Sequence, residues 1–329
     1  MTALHTSGRA LGIVAGLGAL AVAYGAGIER NAFTLRRFEL PVLPAGSPPL
    51  RVLHVSDIHL VPGQERKIAW VRGLAELEPD FVVNTGDNLS HVDAVPPLLR
   101  ALEPLLEAPG AFVLGSNDIY APALRNPARY LRSTYAAAPH DRPRLPTQTL
   151  VDGLRVGGWI DLNNVRTTLP VGGSVLELVG VDDPHIERDR YADVAGAASD
   201  SAALTVGVVH APYQRVLDAF TSDGAGLVIA GHTHGGQLAV PGFGALVTNC
   251  DLDRGRAKGV SRWWPGAGQG VTPRGIDRLL PAGVARDDAQ APVDAAWLHV
   301  SAGLGTSRMA PVRFACRPEA SLLTLTSRT

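Results

Sequence analysis

The feature that most restricts this 329-residue chain is a fivefold recurrence: a short apolar run closing on a polar cluster that carries Asp, His or Asn. Arg51 to Ser56 (RVLHVS) closes on Asp57-Ile58-His59, and Phe81 to Asn84 on Gly86-Asp87-Asn88. Ala111 to Leu114 closes on Gly115-Ser116-Asn117-Asp118, and Leu204 to Val209 on His210. Leu227 to Ile229 leads into Gly231-His232-Thr233-His234-Gly235-Gly236. Runs this short, bounded by turn residues, read as buried strands. Between the first two, Ile68, Val71, Leu74, Ala75 and Leu77 recur at helical spacing, and Ala94 to Leu106 and Tyr213 to Phe220 supply further helices. The β-α-β order implies an α/β fold, a sheet with helical crossovers. One Asp or His at a strand end is ordinarily a turn former. Five clusters at carboxyl strand ends converge on the crevice where open α/β sheets bind ligands.

The rest of the chain reads more loosely. Trp159 to Val181 forms a hairpin turning at Gly172-Gly173, and Trp297 to Leu325 supplies two or three further strands. Two facing sheets with outer helices fit this order. The expected organisation is a hydrophobic segment over 1–28, a Pro-rich linker over 29–50 (LPVLPAGSPPL at its end) and a catalytic domain over 51–329. Ala10 to Ile28 is 19 residues without charge, long enough to span a bilayer as an anchor at the cell membrane. A cleaved signal peptide ending at Ala21-Val22-Ala23 is the second reading and a core helix the third. The side of the membrane stays open, because Arg30, Arg36 and Arg37 argue for a cytoplasmic domain and a signal peptide for the opposite. A net charge of −1 offers no general field for nucleic acid, so none is expected as a partner. Cys250 and Cys316 are too few for a thiolate zinc site and could be bridged or separate.

The residue types in the clusters suit a definite task. Carboxylate with imidazole is a ligand set for Mn, Fe or Zn rather than Ca. Asp57, His59, Asp87, Asn117, His210, His232 and His234 are more candidates than one tetrahedral ion needs. A carboxylate such as Asp87 could bridge two divalent ions, the arrangement used for phosphate ester cleavage. In Asp57-x-His59 and His232-x-His234 the paired residues point the same way if the backbone stays extended.

The DIH at 57–59, GD at 86–87, His210 and GHTHGGQ at 231–237 resemble the motifs of the calcineurin-like metallophosphoesterases, in a likeness spanning about residues 50–329. The resemblance implies a four-layer α/β/β/α sandwich and a two-metal hydrolase of phosphomonoesters or phosphodiesters working through a metal-activated hydroxide. Carried over, Asp57, His59 and His234 resemble the ligands of one ion, Asp87 the bridge, and His210 and His232 ligands of the other. A hydrophobic segment ahead of a single such domain is similar to membrane-associated bacterial members.

The third cluster departs from the family's Gly-Asn-His-Asp or Gly-Asn-His-Glu. In Gly115-Ser116-Asn117-Asp118, strict register puts Ser116 at the ligand position, and a one-residue shift puts Asn117 there. An amide oxygen suits a hard metal better than a neutral hydroxyl, which favours Asn117. Either way the family's proton-donating His is missing, leaving Asp118 as a stand-in donor if its pKa is raised. That departure supports a second hypothesis, a membrane-associated metal-binding pseudoenzyme or scaffold. The other six metal positions argue against it. Blander readings apply elsewhere. His54 reads as a packed strand histidine, Asp182-Asp183-Pro184-His185 as a turn or a substrate mouth, and Trp263-Trp264-Pro265 as a surface loop or lid. Tyr120 to Pro146, with Arg125, Arg129 and Arg132, reads as a specificity insertion or a solvated helix face.

Overall fold

A computed structural model describes residues 16, 18–123, 142–268, 291–306 and 308–328. The first sheet contains β1 (Thr34–Leu43), β2 (Leu50–Val55), β3 (Phe81–Asn84), β4 (Gly110–Phe112), β5 (Ile160–Asp161) and, last in the chain, β14 (Glu319–Ser327). The second contains β6 (Val165–Val171), β7 (Ser174–Gly180), β8 (Leu204–Val209), β9 (Leu227–Ala230), β12 (Gly259–Trp263) and β13 (Ala296–Val300). A small antiparallel pair, β10 (Ala239–Val240) and β11 (Gly244–Ala245), stands apart. Strand order is β1-β14-β2-β3-β4-β5 in one sheet and β12-β13-β9-β8-β7-β6 in the other. From β2 to β5, and from β13 through β9 and β8 to β7, the strands are parallel. The expected hairpin is β6–β7, and Gly172 and Gly173 both take the positive φ its two-residue turn demands.

Side-chain alternation sets the layers. Phe81 and Val83 of β3 face the second sheet and meet Val206, Val208 and Ile229, whereas Val82 faces the other way. There it packs with Ile68 and Val71 of α1 (Glu65–Gly73), Leu98 of α2 (Val95–Leu102) and, past the short α3 (Ser116–Ile119), Leu150 and Leu154 of α4 (Thr147–Val156). On the far side, Val216, Leu217 and Phe220 of α5 (Gln214–Ser222) cover Val209, Val228 and Leu298. The result is helix, sheet, sheet, helix. Strands apolar on both faces are what parallel sheets buried between layers require.

Three expectations are corrected. The Pro-rich stretch is no free linker: β1 pairs in parallel with β14, and its Leu40, Val42 and Leu43 are buried between the sheets. Alternation in LPVL supplies that face; the prolines drew attention away from it. The single-pass membrane placement fails as well, since no helix among the described residues is long and apolar enough to cross a membrane. Residues 18–27 are helical, but Gly25 is buried against Arg313, which donates its N–H to the Gly25 carbonyl (3.3 Å). Tyr24 meets the edge of Phe314. A small residue at the contact commits the end of this helix to protein. Finally, Trp263 is no lid residue: it lies fully buried in β12 and donates Nε1–H to Asp218 (2.9 Å). Arg125, Arg129 and Arg132 lie outside the described residues.

Candidate metal centre

The five polar clusters meet at one end of the two sheets. Asp57 and His59 follow β2, Asp87 follows β3, Asn117 is the second residue of α3, His210 follows β8, and His232 and His234 follow β9. The backbone does not stay extended through them. Asp57, His59, Asp87, His232 and His234 all take positive φ, between 45° and 71°. Non-glycine residues in that region cost of order 1–3 kcal/mol each and persist where their surroundings over-determine them.

Each imidazole has one nitrogen anchored in the wall and the other turned inward. His210 donates Nδ1–H to the Thr85 carbonyl (2.6 Å), and His232 Nε2 meets the Asn249 carbonyl (3.2 Å). His59 Nδ1 meets Ser90 Oγ (3.1 Å), and His234 Nδ1 meets the Arg313 guanidinium (3.3 Å). Such partners fix which nitrogen is offered to the centre. Inward, His59 Nε2 lies 3.3 Å from His234 Nε2, and His234 Nε2 lies 3.7 Å from Asp57 Oδ1. His232 Nδ1 lies 3.3 Å from His210 Nε2. Asp87 Oδ2 stands between the two groups, 3.5 Å from both His59 Nε2 and His210 Nε2.

These spacings suit a cation. Ligand atoms about 2.1 Å from one shared ion lie about 3.0–3.4 Å from one another. Asp57-His59-His234 and Asp57-Asp87-His210 each form a set able to hold a metal. Asp57 Oδ1 is buried without a hydrogen-bond partner among the described residues, a costly state unless a cation fills it. Burial also pushes His59 down to about 4 and holds His232 and His234 well below the ordinary histidine range, so these imidazoles are neutral, as ligands must be. Burial disfavours the charged form of His210 too, but Asp87 and Asp183 beside it outweigh that and hold its pKa well up.

A family model, the calcineurin-like phosphoesterase, matches residues 50–236, more than half the chain. The chain belongs to that family. As a calcineurin-like phosphoesterase it is a hydrolase of phosphoester bonds, and a metal-dependent one. It is 25% identical over 309 residues to the uncharacterized metallophosphoesterase YkuE of Bacillus subtilis, covering 91% of this chain and 86% of that one. An uncharacterized metallophosphoesterase of Aquifex aeolicus is 27% identical over 254 residues, 72% of this chain and 84% of the relative. Among solved structures it resembles a purple acid phosphatase from yellow lupin, at a TM-score of 0.35 and 11% identity over 58% of this chain and 39% of that one.

The altered third cluster has a clear geometry. Asn117 is the residue that meets Asp87: its backbone N–H donates to Oδ1 (2.7 Å) and its side-chain amide contacts Oδ2 (2.7 Å). Ser116 is buried beside it. Asp118, expected as a proton donor, is fully buried, and its carboxyl accepts the backbone N–H groups of Asp87 (2.8 Å), Asn88 (2.8 Å) and Gly115 (3.0 Å). Burial and neighbouring Asp87 push it up to about 7 against the pull of those amides.

Other residues serve the centre without having been singled out. Arg313 is fully buried and donates to the carbonyls of Ala302 (2.6 Å), Gly303 (3.0 Å), Gly305 (2.6 Å) and Cys316 (3.3 Å) besides meeting His234. It lies beyond the family match, in a stretch (APVRFACRPE) with no strand-end signal. Lys67 donates to the Ile58 carbonyl (2.7 Å), between two ligand candidates. Its one sequence signal is rarity, since only two lysines stand among 30 basic residues. The Asp182–His185 stretch is both turn and wall: Asp183 accepts the His185 N–H (2.9 Å), and the His185 ring lies 4.5 Å from that of His232. Cys250 and Cys316 are separate buried thiols.

Proposed function

We propose that this phosphoesterase uses two divalent ions, one held by Asp57, His59 and His234, the other by His210, His232 and Asn117, with Asp87 shared between them. The observation that carries the reading is the equal 3.5 Å reach of Asp87 Oδ2 to an imidazole of each group. When bound, such ions lower the pKa of water to yield a nucleophile at neutral pH and stabilise charge on phosphoryl oxygens. The chain's part is to aim four imidazoles, three of which (His59, His232 and His234) burial holds neutral, and to supply the carboxylates of Asp57, which burial pushes up to about 6, and Asp87. His210 and His59 hold Asp87 well below the ordinary carboxylate range despite its burial.

The substrate class is a phosphomonoester or phosphodiester with a good leaving group. No imidazole stands in the third cluster to protonate the departing oxygen, and general acid catalysis is worth typically 10²–10⁴-fold where that proton is needed. Asp118, pushed up to about 7 by burial and Asp87, can hold a proton near neutrality, but both its oxygens are engaged by the backbone N–H groups of Asp87, Asn88 and Gly115. The complete set of aimed imidazoles argues against a pure scaffold.

The test is metal analysis and turnover of the full chain prepared with Mn. Two ions per chain and hydrolysis of bis(4-nitrophenyl) phosphate are expected, with Asp87→Asn losing activity and at least one ion. Full metal occupancy in Asp87→Asn would overturn the sharing of that carboxylate.

A further inference from the structure

Behind Asp57 lies a line of side chains, all fully buried, running from the centre into the space between the sheets. Ser56 Oγ donates to Asp57 Oδ2 (2.5 Å), and Thr85 Oγ1 donates to Ser56 Oγ (2.6 Å). His54 Nε2 lies 2.8 Å from Thr85 Oγ1, and His54 Nδ1 lies 3.1 Å from His299 Nδ1 on the second sheet. His299 Nε2 has no hydrogen-bond partner among the described residues.

Proton counting gives this line a single direction. An ionised carboxylate only accepts, so the one hydroxyl proton of Ser56 goes to Asp57. Ser56 must then accept from Thr85, which spends the only proton Thr85 has. Thr85 therefore accepts from His54, whose Nε2 carries hydrogen and whose Nδ1 is bare. His299 must supply hydrogen from Nδ1, leaving its Nε2 as a lone pair. That is the atom left unpaired among the described residues, on a ring whose centroid lies 5.4 Å from that of Phe38. An unsatisfied acceptor is also better tolerated in a dry site than an unsatisfied N–H. Burial keeps both rings neutral, holding His54 well below the ordinary range and pushing His299 down to about 3.

We infer that Ser56, Thr85, His54 and His299 form a one-way donor chain that positions Asp57 so that a metal meets only its Oδ1. The donor chain and the His232 N–H (3.0 Å) saturate Oδ2, while Oδ1 has no hydrogen-bond partner among the described residues and faces His234. The inference rests on Asp57 being a metal ligand. It also accounts for Gly231, the first residue of GHTHGGQ. A Cβ there would overlap Ser56 Oγ and lie 2.6 Å from Asp57 Oδ2 and 2.9 Å from Thr85 Oγ1. Close approach, rather than a turn, is what requires glycine at that position.

Histidine tautomers in the metal-free full chain provide the test. Long-range 1H–15N correlation of 15N-histidine protein, assigned with His54→Asn and His299→Asn, should show His54 as the Nε2–H tautomer and His299 as the Nδ1–H tautomer. A Nδ1–H tautomer at His54 overturns the chain and leaves the phosphoesterase reading intact, because no metal or substrate is involved. In parallel, Thr85→Val should weaken binding of one Mn ion by about 10–100-fold, the usual effect of removing a partner behind a ligand. Thr85→Ser, which keeps the hydroxyl, should restore it. Equal Mn affinity in wild type and Thr85→Val would overturn the positioning role even with the tautomers as stated.

Discussion

Replacing Asp118 by alanine should unfold this protein at a lower temperature before any question of proton transfer arises. The carboxyl accepts three backbone N–H groups, from Asp87, Asn88 and Gly115, in a site closed to water. Removing it leaves three buried donors unsatisfied, at about 1–3 kcal/mol each. Taking the lower half of that range gives a loss of about 3–6 kcal/mol. At about 2 °C per kcal/mol for a domain of this size, Tm should fall by roughly 6–12 °C. The assay is thermal unfolding of metal-free wild type and variant, so that metal loss does not contribute. Asp118→Asn keeps one acceptor oxygen and turns an N–H₂ toward donors, so it should fall between the two. The reasoning is refuted if Asp118→Ala melts with the wild type and loses only activity toward esters of basic alcohols. That outcome would make the carboxyl a proton donor.

Two further predictions concern neighbours of the same centre. Asn117→His should lower turnover of aryl and alkyl phosphoesters alike, because it removes the amide that meets Asp87; a selective gain on alkyl esters would instead make Asn117 the counterpart of the family's proton donor. Lys67 is pushed by burial from 10.5 down to about 7, so between roughly pH 7 and 10.5 the unfolded chain binds the extra proton. Stability of the metal-free protein should therefore rise over that window relative to Lys67→Met in denaturant titrations, and a constant difference between the two would refute the assignment.

The parts of the fold legible in the sequence are those where period and punctuation agree. FVVN, LTVGVV and LVIA are apolar on both faces and end at a ligand cluster, so both the strands and the convergence of their ends could be read. Strand β1 could not, because prolines in LPVLPAGSPPL mask an alternation that only its pairing with β14, some 280 positions away, makes useful. Gly-Val-Ser-Arg-Trp of β12 was hidden in the same way by the Gly and Pro around Trp263-Trp264. His54 was legible as a packed histidine. Its role was not, since the partner ring of His299 comes from the other sheet, 245 positions on.

The backbone at the centre explains why so many residues outside the motifs are tied to it. Five of the candidate ligands sit at positive φ, a strained state that their own side chains do not relieve. Each loop is instead held by a buried side chain bonded to backbone. Asp118 grips the amides after β3, Lys67 takes the carbonyl between Asp57 and His59, and Thr233 donates to the Ala257 carbonyl (2.6 Å). Arg313 binds the 302–305 carbonyls that pack on Asp57, where Gly303 and Gly305 leave no room for a Cβ. The ionisable members of this set are the costly ones to bury, and all three face backbone rather than a counter-ion. Asp118 and Arg313 each fix several peptide groups at once, while Lys67 fixes one. Neutral hydroxyls suffice where a single oxygen must be turned, as at Ser56 and Thr85. The division follows from what each site needs: several peptide groups in a strained loop are gathered by the multidentate Asp118 and Arg313, and aiming one carboxylate calls for a line of single donors.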